Sequence, residues 1–249
     1  MTGRFDSAQA SKAIAALYAW MKKEKKKKGK GSGASDLFEG DDYIQLTVSL
    51  KKTQPVRKDK PIRVAIDHPL YSLDEVESCL IVKDLAGEGK KAAKARLDEG
   101  NILGVSKVLG VSKINKKFAT HEQKRQLCKD YKLFLADTRI LPLLPKLLGK
   151  SFFKKKKQPL PVDLRGSNTK WKQNIQDAIK STYVHLTGGS CFTVKIGKPG
   201  DQSAKEVLRN LTTVVTKLSD LEAIGKWKNI QRMYIKTSQS VSLLVYASD

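Results

Sequence analysis

Residues 131–162 read Y-K-L-F-L-A-D-T-R-I-L-P-L-L-P-K-L-L-G-K-S-F-F-K-K-K-K-Q-P-L-P-V. Leu133, Phe134, Leu135 and Ala136 form an apolar run that spells a strand ending at Asp137. A short helical segment follows, interrupted by Pro142 and Pro145 and stopped at Gly149. Phe152, Phe153 and four lysines lead into Pro-Leu-Pro, which must be extended because proline disfavours the helical region for the residue before it. A strand that is apolar throughout, instead of alternating, is buried on both faces, as in a parallel sheet. Cys79, Leu80, Ile81 and Val82 form a second run of this kind. Helical patterns at 90–98 and 116–129 lie between the two runs. They flank a near-repeat, L-G-V-S-K-V then L-G-V-S-K-I at 103–114, whose period is too short for a solenoid and which reads as a strand and its turn. Strands separated in this way by helices predict a three-layer α/β unit.

Outside this middle the pattern changes. Residues 43–50 and 62–66 alternate strictly between apolar and polar, as half-buried strands do. So do 183–187 and 191–196, with Gly188-Gly189-Ser190 as a hairpin-compatible turn between them. Residues 7–26 carry Ile14, Leu17, Tyr18 and Met21 at helical spacing. Asn168 or Thr169 caps a helix bearing Trp171, Ile175, Ala178 and Ile179. Asp201 or Ser203 opens a longer one with Val207, Leu208, Leu211, Val214, Val215, Leu218 and Leu221 on its buried side. A strand at 232–236 and an apolar 243–246 finish the chain. Alternating strands at both ends around a doubly buried middle predict one domain interrupted by another. The expected division is 1–70 plus 163–249 as a discontinuous α+β domain, with 22–38 as a flexible basic linker, and 74–160 as the inserted α/β domain. Short proline-containing connections near 68–74 and 159–163 would form a two-strand hinge between them.

The chain has 249 residues, 40% of them apolar, which suffices for real cores. Its 48 Lys and Arg against 25 Asp and Glu give a formal net charge of +23. Such an excess attracts polyanions. No apolar run approaches the ~20 residues of a membrane span, and the first ten residues lack a secretory signal pattern. Cys79, Cys128 and Cys191 are odd in number and share no C-x-x-C spacing, which predicts a reduced compartment. The chain has no G-x-G-x-x-G, G-x-x-x-x-G-K-[ST] or H-E-x-x-H, so a nucleotide or zinc enzyme would lack its usual handles. Gly87-Glu88-Gly89-Lys90 reads as a surface turn. His68, His121 and His185 share no ligand spacing. The expectation is therefore no catalytic residue, no metal and no cofactor.

Sorting the alternating strands by face separates two chemistries. Ile44, Leu46, Val48, Ile62, Val64, Val184, Phe192, Val194, Met233 and Ile235 fall on the core side. The opposite side collects Tyr43, Gln45, Thr47, Ser49, Arg63, Ala65, Tyr183, His185, Thr187, Cys191, Thr193, Lys195, Arg232, Tyr234 and Lys236, without a carboxylate among them. A sheet face of hydroxyls, amides, rings and cations suits a phosphate backbone. The stretch after it, Thr237, Ser238, Gln239 and Ser240, is small and polar enough for close contact with 2′-hydroxyls. Lys154, Lys155, Lys156 and Lys157 form a basic patch that reads as an RNA-phosphate contact, a nuclear-import patch or a solvated loop. The lysine run at 22–30 reads as a tail with non-specific phosphate affinity.

These segments resemble the ribosomal protein L1 family, and more closely its nucleolar, domain-containing assembly relatives. The resemblance rests on Ala136-Asp137-Thr138-Arg139-Ile140, Leu144-Pro145, Gly149 and Phe152-Phe153, and on the stretch 234–240. It implies a two-domain fold: an α+β domain built from both termini, with a Rossmann-like domain inserted. It also implies that 234–240 is a principal rRNA contact, although Gln239 and Ser240 stand where the family has Met and Gly. His185 and Thr193 align with the family's Arg and His on the hairpin strands, and Gly40 stands where it has an aromatic. By this resemblance the chain is expected to bind rRNA or pre-rRNA alongside preribosomal proteins, in the nucleolus or nucleus, off membranes and as a monomer outside the particle. A stalk protein of the mature ribosome, an α/β enzyme acting on RNA or nucleotide, and an adaptor for an acidic protein are the alternatives.

Overall fold

The computed structural model describes residues 5–28, 43–53, 61–84, 89–186 and 188–248, apart from the side chains of 25–28 and 154. Two compact units emerge from the packing. One comprises Met1–Lys58, Ile62–Leu70 and Thr182–Asp249; the other comprises Tyr71–Ser181 with Asp59–Pro61.

In the first unit, β1 (Ile44–Leu50) lies between β8 (Cys191–Gly197) and β9 (Ile230–Lys236), and β10 (Leu243–Ala247) extends the sheet beyond β9. All pairings in this four-stranded sheet are antiparallel. β1 shows the expected alternation of buried and half-buried residues. Its inward residues Ile44, Leu46 and Val48 meet Val194, Ile196, Met233 and Ile235 under two helices, α1 (Ser7–Lys28) and α8 (Ala204–Asp220). α1 contributes Ala10, Ile14 and Leu17, and α8 contributes Val207, Leu211, Val214 and Leu218. The start of α8 is set by Ser203, whose hydroxyl accepts from the Glu206 amide while the Glu206 carboxylate accepts from the Ser203 amide.

Two expectations need correcting here. The basic run expected as linker from residue 22 is helical as far as Lys28; residues 29–38 lie outside the described residues. Lysine and glutamate have unbranched side chains that lose little freedom in a helix, so the run extends α1 once its apolar face is docked. Second, 183–187 and 191–196 do not form a hairpin ladder. β7 (Ser181–Val184) pairs with β2 (Ile62–Ala65) in a two-stranded sheet, while β8 pairs with β1. Asn210 occupies a position on the buried face of α8 and is 0% exposed. Its side-chain amide donates to the carbonyls of His68 (2.8 Å) and Ile196 (3.0 Å) and accepts from the His68 amide (2.9 Å). The periodicity of α8 shows only that this position is inward.

The second unit holds a parallel sheet of order β4-β3-β5-β6, from β3 (Ser78–Val82), β4 (Lys107–Gly110), β5 (Leu133–Asp137) and β6 (Leu160–Val162). β3 and β5 are buried along their whole length, as their unbroken apolar runs require. On one face Cys79, Ile81, Leu109, Phe134 and Ala136 pack with Ile114, Leu127, Leu148 and Phe152 from α3 (Val111–Lys117), α4 (His121–Asp130), α5 (Leu144–Leu148) and α6 (Lys150–Lys154). α2 (Lys90–Glu99) and α7 (Asn168–Lys180) pack against each other, against β4 and β6 respectively. Pro142 and Pro145 both sit in first turns, where a missing N–H costs nothing. Gly149 separates α5 from α6 at φ 72°, a left-handed conformation that glycine adopts without strain.

The expected helix at 116–129 is two helices, because Thr120 forms a capping box with Gln123 and starts α4 afresh. The expected linker at 159–163 is mostly strand: Leu160, Pro161 and Val162 register against Leu135, Ala136 and Asp137. β6 is an edge strand, where proline's missing donor is tolerated. The boundary placed at 163 therefore moves to Ser181, and α7 belongs to the second unit.

Candidate nucleic-acid interface

The face of the four-stranded sheet opposite α1 and α8 is organised by strand register into three cross-strand rungs. Leu244, Tyr234, Thr47 and Thr193 form one; Lys236, Gln45 and Lys195 form the second; Ala247, Arg232, Ser49 and Cys191 form the third. Paired residues point to the same side, so each rung is a continuous row of side chains. None of these eleven positions is a carboxylate. Arg232, Lys195 and Lys236 supply the charge.

The rungs are held in specific ways. Lys195 places its ammonium 3.9 Å from the centroid of the Tyr43 ring, and Tyr43 is itself buried. A cation fixed over a ring is presented in one place at little entropic cost. The Ser49 hydroxyl lies 3.2 Å from the Cys191 sulfur. At the centre, the Thr47 hydroxyl is buried without a hydrogen-bond partner. A buried polar group of that kind has unspent hydrogen-bonding capacity.

Beyond β9 the chain turns through 237–240. Thr237 is buried, its hydroxyl accepts from the Ser240 amide (3.2 Å), and the Ser240 hydroxyl accepts from the Thr237 amide (2.9 Å). These two residues build the turn, and Ser238 and Gln239 are exposed at its tip. Of the four residues expected to offer side chains to RNA, Thr237 and Ser240 thus hydrogen-bond the turn's own backbone.

The remaining expected residues are placed as follows. Arg63 is exposed on β2 and His185 follows β7, so neither lies on the rungs. Tyr183, expected on the open face, is buried. Thr187 lies outside the described residues. Burial, and secondarily the Lys195 ammonium, lower the His185 pKa to about 4. The ring is therefore neutral at physiological pH and acts as a hydrogen-bonding group, not as a phosphate-pairing cation. Between about pH 6.5 and 4 the unfolded chain binds a proton at this position that the folded chain refuses, so stability falls as pH drops through that window. His185→Gln is expected to flatten this part of the acid limb in urea titrations across pH 4–7; an unchanged limb would place the acid sensitivity elsewhere.

The expected basic patch divides. Lys155 and Lys156 are exposed, and the Lys154 side chain is outside the description. Lys157 donates to the carbonyls of Cys128 (3.0 Å) and Tyr131 (2.9 Å), terminating α4. It is structural: a cation at a helix C-terminus satisfies orphan carbonyls and the dipole together. All three cysteines are free, and burial pushes the Cys79 thiol up to about 12, away from nucleophilic use. Among the described residues no group of His, Cys, Asp or Glu is arranged to hold a metal ion, and no helix is long and apolar enough to cross a membrane. The sequence reading missed Tyr43 as the support of Lys195 and Leu244 as a member of the open face. β10 had only an apolar run to announce it, and its register was not readable.

Fold and face define a class: a discontinuous α+β unit with a carboxylate-free cationic sheet, interrupted by a parallel α/β unit. The profile of the Ribosomal protein L1p/L10e family matches residues 17–241, and the chain belongs to that family. Among relatives, it is similar to a Schizosaccharomyces pombe protein provisionally named for ribosome biogenesis, C8F11.04: 34% identity over 203 residues, 81% of this chain and 52% of the relative. A second provisionally named S. pombe ribosome biogenesis protein, C306.07c, is 31% identical over 211 residues, 83% of this chain and 70% of the relative. Ribosomal L1 domain-containing protein 1 of Mus musculus is 25% identical over 249 residues, 98% of this chain and 52% of the relative. The chain thus spans about half the length of the first and third of these.

Proposed function

We propose that this chain is a non-enzymatic ribosome-assembly protein that binds rRNA or pre-rRNA through the open face of its antiparallel sheet, in the nucleolus, alongside preribosomal proteins and as a monomer outside the particle. The observation that carries the reading is the carboxylate-free face with its three cations and its ring-fixed Lys195, in a chain of net charge +23. Cations there supply affinity for any phosphate backbone, while Gln45, Thr193, Tyr234, Ser238 and Gln239 are of the types that read bases and 2′-hydroxyls. The ribosome-biogenesis names of the two most identical relatives cited above favour assembly over residence in the mature particle. In this reading the two units act as domains, and the terminal-halves domain holds the RNA.

The test is in-cell crosslinking of the protein to RNA, read by sequencing, together with sedimentation of lysates. The expected result is crosslinks concentrated in rRNA or its precursor and co-sedimentation with precursor particles. Co-sedimentation with translating ribosomes would instead identify a stalk component, and crosslinks no richer in rRNA than in bulk RNA would overturn the reading.

A further inference from the structure

The second unit carries a basic cluster on the edge of its own sheet. β4 is the edge strand, and Lys107 projects from it into solvent. Lys90 and Lys94 lie one turn apart on α2, and together with Lys107 they line a cavity of about 470 Å³, which Asp98, Asn101 and Ser106 also border. Lys113, from α3, adds a further amine, close enough to Lys90 and Lys107 to feel their charge. Lys107 is steadied by the Tyr131 ring, 5.5 Å from its ammonium. Among the described residues none of these four lysines is in an ion pair with a carboxylate.

Folding alone gives no reason for this arrangement. Like charges drawn together repel: the side chain of Lys90 first, and then the charges of Lys90 and Lys107, lower the Lys113 pKa below its ordinary value. α2 moreover begins with Lys90 and Lys91, with no acid in its first turn and no side-chain cap from Gly89. Cations at a helix N-terminus oppose the dipole, where anions would be favoured. A polyanion lying along this edge relieves both penalties at once.

We propose that this cluster is a second RNA contact, in which Lys90, Lys94, Lys107 and Lys113 take the phosphodiester backbone; the inference rests on the RNA-binding reading above. A backbone is favoured over bases because no aromatic ring is among the residues lining the cavity, and the nearby Tyr131 face is taken by Lys107. Lysine is a point-charge phosphate binder without the planar fork that selects one carboxylate geometry. Asn101 and Ser106 add neutral donors suited to phosphate and ribose oxygens. The contact adds affinity without sequence preference.

Amine footprinting tests it directly. The 249-residue chain is acetylated with and without an rRNA fragment that it binds, and the protection of each lysine is read by mass spectrometry. Lys90, Lys94, Lys107 and Lys113 are expected to be protected together with Lys195 and Lys236, while Lys124 and Lys146 are not. Replacing the four with glutamine should lower the slope of log affinity against log salt by about 3, at roughly 0.7–0.9 per phosphate released. The same change at Lys124, Lys146, Lys170 and Lys180 serves as the charge-matched control, with folding of both variants checked by circular dichroism. Protection of Lys195 and Lys236 without the cluster, or equal slope losses in the two variants, overturns the second contact and leaves the first standing. Protection of neither set would instead remove the RNA reading of the sheet. Protection of the cluster by polyglutamate as fully as by RNA at equal charge would assign it to an acidic protein.

Discussion

Changing Lys195 and Lys236 together to glutamate is expected to weaken rRNA binding by at least about a hundredfold at moderate salt. The two lysines end one rung of the sheet, on either side of Gln45. Each reversal exchanges an attraction for a repulsion, worth ~1–2 kcal/mol apiece near a protein surface facing phosphate. Lys195→Glu also removes the cation from Tyr43, a contact of ~0.5–1 kcal/mol at an exposed site. Methionine at both positions keeps the side-chain bulk and should produce a smaller loss, with a flatter salt dependence. Fluorescence anisotropy at two salt concentrations measures both effects, and circular dichroism confirms the fold. A change of less than threefold in the double glutamate variant would mean that RNA lies elsewhere.

The largest effect on stability is expected from Asn210→Leu. The change is close in size but strips the His68 amide and the Ile196 carbonyl of their partner. The His68 carbonyl keeps a donor, the Gln202 side chain at 3.0 Å. Two buried backbone groups left unpaired cost ~1–3 kcal/mol each, so a loss of about 3 kcal/mol is expected. That is a large share of a typical total of ~5–15 kcal/mol. Gln202→Ala should cost less, because His68 remains held by Asn210. Amide hydrogen exchange in β8 and α8 reads the change locally in the first unit. A loss below about 1 kcal/mol would show that the segment at His68 rearranges to find other partners.

Periodicity carried much of this architecture. The doubly buried runs at 79–82 and 133–136 became parallel strands, and the strict alternation at 43–50 and 191–196 became strands with one open face. These readings hold because burial acts on each residue separately. Pairing does not follow from pattern. That β7 joins β2 and β8 joins β1 depends on which backbone meets which, and the Gly-Gly-Ser turn suggested otherwise. The candidate site divides in the same way. Its composition was legible in the order of residues, but Thr237, Ser240 and Lys157 were spent on backbone groups that only folding brings near. The ring beneath Lys195 was likewise invisible, since Tyr43 and Lys195 are distant in sequence.

The near-repeat at 103–114 shows where the division falls. Its two copies share L-G-V-S-K, so their local preferences are the same, and the amino-acid order established only that apolar and small residues would lie at a strand and its turn. The first copy is a turn entering β4, with Gly104 at φ 89° and the Ser106 amide donating to the Ser78 carbonyl at 2.9 Å. The second leaves β4 and becomes α3, with Gly110 in extended backbone and the Ser112 amide donating to the Asp84 carboxylate. A side chain at Gly110 would collide with that carboxylate. Identical residues took opposite courses because one serine amide met a strand carbonyl and the other met an acid that starts a helix. Composition, charge and the apolar pattern were determined by the sequence alone; the choice between strand and helix for equal segments belonged to tertiary partners, since local propensity cannot separate what is locally the same.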